Sequence, residues 1–337
     1  MPGNPDEFTR FREKAQTETS RRLLEEFKER VEQAVHEQDD QARAGFWAYR
    51  SDHDFPPEAI RHPSEYDGGR YLNLACTQTD LKPAAQRKLV ESWCEALPGL
   101  DKVEFLWLSS RVNQPLLDAA CQMKSLKGLH ISWSGIKSLD SIARLRGLRY
   151  LYLGSSPSLA SLVPLEEAAP LEWLELENIA ACADLSFLAA HPSLKGLGVS
   201  GAENKYLNVH SLTPLTHLQT LEWVALRMVR IKSGGLWPLA RLRRLKYLEL
   251  SNKYPMEELA ALAGMRPDIQ CDLFRPVFST LEFMTCKKCG AHNLVMLTGK
   301  GKPCLCPSCD AERLKRHIDA FETIRKAQAQ WLKGQKP

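Results

Sequence analysis

Between Leu97 and Leu262 the apolar positions fall into a segment, L-x-x-L-x-L, that returns again and again. It reads Val103/Leu106/Leu108, Leu126/Leu129/Ile131, Leu148/Leu151/Leu153, Leu171/Leu174/Leu176, Leu194/Leu197/Val199, Leu218/Leu221/Trp223 and Leu245/Leu248/Leu250. Successive middle positions lie 23, 22, 23, 23, 24 and 27 residues apart. Each L-x-L pair alternates sides as a short strand does. Between the pairs the spacing becomes three, as in Leu117, Ala120, Met123, Leu126, or Ile136, Leu139, Ile142, Leu145, Leu148, or Leu236, Leu239, Leu242, Leu245. Three residues per turn is the period of 3₁₀ segments, so the return path is narrow. One unit of this length cannot bury both edges alone, but stacked units can, with parallel strands on a concave side and turns on a convex side.

These seven units resemble the leucine-rich repeat superfamily, in its short bacterial, internalin-like form of about 22 residues per coil. The resemblance runs over roughly residues 97–274 and implies an α/β repeat solenoid, while leaving the function open. The family's asparagine three residues after the last strand leucine is replaced here by Ser134, Ser156, Ile179, Ala202, Leu226 and Lys253. Upstream, Arg70–Leu74 reads as an earlier strand, and Lys82–Leu97 as a helix with Leu89, Trp93, Cys94 and Leu97 on one face. Residues 6–36 place Phe8, Phe11, Ala15, Leu23, Phe27, Val31 and Ala34 on an amphipathic helix that caps the array or binds a partner. The expected organisation is a helical segment over 1–49, a loop over 50–69, the array over 70–274 with clear repeats over 97–262, and a further module over 284–337.

If the L-x-L leucines face inward, the residues flanking them form outward columns. Before the pair stand Phe105, Gly128, Tyr150, Trp173, Gly196, Thr220 and Tyr247; at its centre Trp107, His130, Tyr152, Glu175, Gly198, Glu222 and Glu249; after it Ser109, Ser132, Gly154, Glu177, Ser200, Val224 and Ser251. The face so displayed carries six aromatics, Phe105, Trp107, Tyr150, Tyr152, Trp173 and Tyr247, and four carboxylates, Glu175, Glu177, Glu222 and Glu249, with no basic residue in any column. Solvent-facing aromatics forgo burial and are favoured anchors of interfaces, whereas carboxylates repel a phosphate backbone. These ten residues are therefore the candidate contacts for a protein partner with a basic surface. Aromatics that merely cover one another across rungs are the plainer reading.

Ten cysteines bring separate chemistry. Cys76, Cys94, Cys121, Cys182 and Cys271 lie among apolar neighbours and read as small core residues. Cys286, Cys289, Cys306 and Cys309 form two C-x₂-C pairs, a spacing suited to four thiolates around one tetrahedral Zn²⁺. The segment resembles a zinc ribbon, with Asn293–Thr298 as a strand and Gly299–Lys302 as a turn. Four thiolates leave no open position for water, so the zinc is structural. Cys304, His292 and His317 fall outside this set, the histidines reading as surface residues. After Asp310, residues 311–332 read as a helix with Leu314, Ile318, Phe321, Ile324, Gln328 and Trp331 down one side.

Composition changes this picture little. The 337 residues are 44% hydrophobic and 26% charged with net charge +4, which excludes wholesale disorder and announces neither nucleic acid nor membrane. No apolar run reaches membrane length and the start carries no apolar leader, so a cytoplasmic setting is expected. From Met284 onward eleven Lys/Arg face four Asp/Glu. A nucleic-acid-associated factor docking through this basic tail is thus the alternative function. Phosphate-loop, nucleophile-elbow and metalloprotease motifs are missing, so neither an enzyme nor a small-molecule substrate is expected. The leading expectation is a non-catalytic recognition module, in concrete form an immunity- or antitoxin-like inhibitor of a basic toxin domain.

Overall fold

A leucine on one side of each short strand and a ring or polar group on the other forces the strands into one layer. The computed structural model describes Phe46, Trp47 and residues 56–202, 204–281 and 284–334. Eight strands, β1 (Tyr71–Leu74), β2 (Phe105–Leu108), β3 (Gly128–Trp133), β4 (Tyr150–Ser155), β5 (Trp173–Glu177), β6 (Gly196–Ser200), β8 (Trp223–Arg227) and β10 (Tyr247–Leu250), pair in that order in a single parallel sheet. Inward, Leu72, Leu106, Leu129, Leu151, Leu174, Leu197, Val224 and Leu248 stack rung on rung. The returns are mostly 3₁₀ turns, such as Asp140–Arg144, Val163–Glu167, Ser186–Ala190 and Trp237–Arg241. Their leucines complete one continuous core with the strands. This is a leucine-rich-repeat solenoid.

Three local departures from the sequence pattern have physical causes. The return holding Leu117 and Ala120 is an α-helix, α2 (Gln114–Ala120), because the Asn113 side chain accepts the Leu116 N–H at 3.0 Å and Pro115 suits a first helical turn. Two further strands, β7 (Leu207–Ser211) and β9 (Val229–Ser233), pair with each other outside the main sheet. Because β7 lies between β6 and β8, the long coil falls between Leu197 and Val224. The rung read as Leu221/Trp223 is really Val224/Leu226.

Just before the strands runs a charged ladder. Arg70, Glu104, Lys127, Arg149, Glu172, Lys195, Glu222 and Lys246 follow one another through main-chain hydrogen bonds. Glu104 pairs with Arg70 and Lys127, Glu172 with Lys195, and Glu222 with Lys246. Exposed pairs of this kind stabilise by only about 0–1 kcal/mol each. Where an asparagine ladder would run, Ser134 and Ser156 instead share a buried hydrogen bond of 2.6 Å.

Both ends of the array are covered. At the first, α1 (Pro83–Ala96) packs Leu89, Val90 and Trp93 into the core, and Ile60 bridges to Leu74 along the open edge of β1. At the last, α3 (Met256–Met265) is followed by an antiparallel ribbon of β11 (Val277–Leu281), β12 (Leu294–Leu297) and β13 (Cys304–Leu305), then by α4 (Ala311–Gly334). The ribbon docks through Asn252, whose Nδ2 donates to Leu297 O at 2.9 Å and whose Oδ1 accepts the Gly299 N–H at 2.7 Å. Phe321 of α4 is fully buried in the array's core. The expected helix over residues 6–36 lies outside the described residues.

Candidate functional site

Parallel register sets the predicted columns side by side. Asn73, Trp107, His130, Tyr152, Glu175, Gly198, Ala225 and Glu249 form one row; Tyr71, Phe105, Gly128, Tyr150, Trp173, Gly196, Trp223 and Tyr247 form the next. The shifted coil corrects three expectations. Trp223 joins the aromatic row instead of the core, Val224 points inward, and Glu222 leaves the central column for the charged ladder. A fourth is overturned as well. Arg227 stands in line with Glu177 and Ser200, so one basic residue does sit on this face. It pairs with Glu249, which also accepts Trp223 Nε1 at 2.8 Å.

Glycines make room for the rings. A Cβ at Gly196 would lie 2.3 Å from the Trp173 ring, and one at Gly128 would lie 2.4 Å from Phe105 and 3.0 Å from Trp47. Trp173 therefore lies across the bare backbone of β6 and stacks on Trp223, centroids 4.9 Å apart.

The middle of the aromatic face is covered, contrary to the sequence reading, while Tyr71 at its edge stays exposed. Phe46 and Trp47, from far upstream, sit on it. Phe46 stacks on Tyr150 (4.1 Å, 10°) and reaches Phe105 and Trp173 at 6.0 and 6.3 Å. Trp47 meets Trp107 and His130 edge-on, each at 5.4 Å. Trp107 is left 2% exposed and Trp47 7%. Nothing in the repeat pattern signals this contact, because Phe46–Trp47 belongs to no repeat.

Beneath this cover the electrostatics change. Burial pushes the Glu175 carboxyl up to about 7, although Trp173 Nε1 (2.8 Å), Arg227 and the Trp47 main-chain N–H all favour its charged form. Burial likewise holds His130, stacked on Tyr152 at 4.1 Å, down to about 3 and therefore neutral. The Tyr152 hydroxyl donates to Glu177 and, being buried beside it, is raised. Beside Phe46 a notch of about 240 Å³ remains, lined by Tyr150, Trp173, Trp223 and Tyr247 with Glu172, Lys195 and Glu222 at its rim.

At the far end, the Sγ atoms of Cys286, Cys289, Cys306 and Cys309 all lie within 4.8 Å of one another. Each pair is bent by its own main chain. Gly290 N–H donates to Cys286 O and Cys286 N–H to Ala291 O, both at 2.8 Å, while Asp310 N–H donates to Cys306 O at 2.9 Å. The N–H groups of Cys289 and Lys288 pull the Cys286 thiol down to about 7. Four thiols so close repel as thiolates unless a cation joins them, and the cluster is compatible with a metal site. Cys304 lies exposed on β13 outside it. His317 corrects the surface reading: it is buried, with Nε2 3.0 Å from Pro276 O, and helps dock α4.

No protein-family model and no curated protein sequence matches the chain. Among solved structures, it is similar to an internalin (inlF) of Listeria monocytogenes at 20% identity, over 60% of this chain and 59% of that one, with TM-score 0.46. Internalin C2 of the same organism follows at 22% identity, over 47% and 75% of the two chains, with TM-score 0.33. A leucine-rich repeat protein of Leptospira interrogans stands at 18%, 52% and 56%, with TM-score 0.35. The match thus spans under two thirds of the first of these. Among the described residues no helix is long and apolar enough to cross a membrane.

Proposed function

We propose that this chain is a non-catalytic protein-recognition module, whose concave face seats aromatic side chains of a protein partner and whose four cysteines hold one structural Zn²⁺ in the cap of the array. The observation that carries the first half is the pair of rings already seated there. Phe46 and Trp47 make fitted contacts with five aromatic residues of the face, so the face has the shape and chemistry to hold such groups. The second half rests on the donor set: four thiolates, no open position and a location that docks the last coil. Zinc there would tie the two knuckles together and keep β11–β13 against α3.

The finer form of this reading is an immunity- or antitoxin-like inhibitor of a basic toxin domain. Its support is the acidic share of the face, which narrows to Glu177, because Arg227 balances Glu249, Lys246 balances Glu222 and Trp47 covers Glu175. Affinity capture from the native host, followed by direct binding to the purified candidate, tests both levels. A partner held by the wild type and lost with Trp173→Ala plus Tyr247→Ala supports recognition by this face. Nucleic acid recovered instead, released steeply by salt and lost on deleting residues 284–337, would support docking through the basic tail.

A further inference from the structure

The ligand-like group on the concave face belongs to the chain itself. Phe46 and Trp47 form a cluster with Phe105, Trp107, Tyr150, Tyr152 and Trp173 that is separate from the leucine core on the opposite side of the sheet. They contribute no leucine-side packing, yet nearly all of Trp47 is covered. Its main-chain N–H also engages the Glu175 carboxylate, a backbone contact of the sort by which seated peptide segments are held. We propose that Phe46–Trp47 is an intramolecular ligand. On this account the shelf is a binding site for a protein segment presenting two adjacent aromatic side chains, and a partner enters by displacing the chain's own pair. This rests on the recognition reading above and names the chemistry of the partner.

Among the described residues, the pair covers only part of the aromatic row. Past Phe46 the aromatic row continues through Trp173, Trp223 and Tyr247, and among the described residues no further ring covers the notch above them. A partner segment with a third flat side chain next to its aromatic pair gains a contact that the internal pair lacks. Differential binding of that kind is what displacement of a tethered competitor requires, since the tether gives the internal pair a high effective concentration.

The test uses the full chain and a peptide of its own residues 40–52. Wild type and Phe46→Ala/Trp47→Ala are compared by calorimetry, with circular dichroism as the check on folding. The expected result is that the peptide binds the double variant at least tenfold more tightly than it binds the wild type. The same peptide with alanine at both aromatic positions should bind neither. A folded double variant that takes up no peptide overturns the proposal, and so does a double variant that loses the array's fold, because the pair would then be core. If the peptide fails while a partner still depends on Trp173 and Tyr247, only the internal-ligand proposal falls. If partner binding ignores those residues, the recognition reading falls with it.

Discussion

A carboxyl group covered by indole rings holds its proton to unusually high pH, and Glu175 carries that signature. Its folded-state value of about 7 exceeds the ordinary 4.5, so the folded chain binds more protons than the unfolded one in between. Stability contributed by this group is therefore present at low pH, falls as pH rises through that window, and levels off above about 7. Glu175→Gln should remove the slope. The variant should match the wild type near pH 4 and exceed it by about 1–3 kcal/mol at pH 8 in denaturant titrations. His130, held neutral by burial, imposes the opposite slope, but it does so in both proteins and cancels in the difference. Parallel curves for the two proteins would mean that Trp47 does not cover the site in solution. Gly196→Val probes the same shelf from below. Its Cβ would meet the Trp173 ring at 2.3 Å, so Trp173 has to leave its stack on Trp223 at a cost of about 1–3 kcal/mol, seen as a lower midpoint and altered tryptophan fluorescence. At this scale the sequence was partly legible. Trp107, Tyr152 and Glu175 stand side by side as their spacing requires. Glu222 and Trp223 were misplaced because Leu221-x-Trp223 imitates the strand pair that Val224 and Leu226 actually form, and a periodic pattern cannot show which of two overlapping matches carries the inserted residues.

Among elements, those with a local code could be read and those held by distant contacts could not. The strands, the 3₁₀ returns and α1 follow from apolar spacing, since each buries the same stripe wherever it stands. The serine pair that replaces the asparagine ladder, and the side ribbon of β7 and β9, depend on neighbours one coil away and leave no trace in a single unit. The four-cysteine ribbon lies between these cases. Its ligand spacing is local, but its docking through Asn252 and His317 is not. Removing the metal tests how far the two are linked. A strong chelator, or Cys306→Ser, is expected to release about one zinc per chain, to lower the stability of the ribbon by several kcal/mol, and to raise amide exchange over β11–β13 and the start of α4 first. Exchange in β2–β5 should stay unchanged, because the ribbon docks through Asn252 just after β10, at the far end of the sheet. Full exchange protection without any bound metal would show that the docking contacts alone hold the ribbon in place.

For the whole molecule, the argument concerns its two ends. A solenoid is stabilised by contacts between neighbouring coils, so an end coil lacks half of its partners unless something covers it. Here α1 and Ile60 cover the first coil, while α3, the ribbon and α4 cover the last. The two covers differ in depth. Phe321 of α4 is fully buried in the array's own core, and α4 crosses α3 closely enough that a Cβ at Gly264 would lie 2.2 Å from Arg325 O. The C-terminal module is therefore the missing neighbour of the last coil, and cutting it away should expose apolar α3 as an open end. A chain ending at residue 275 is expected to unfold at lower denaturant and to associate with concentration, as an uncapped array does, with the loss spreading from β10 toward β6 in amide exchange. Phe321→Ala in the full chain gives the graded version: about 3–5 kcal/mol for a large aromatic removed from a core, with the same exchange pattern and no change in metal content. Were the truncated chain as stable and monomeric as the full one, the module would be an appendage with a task of its own, and the stability of the array would have to come from its internal coils alone.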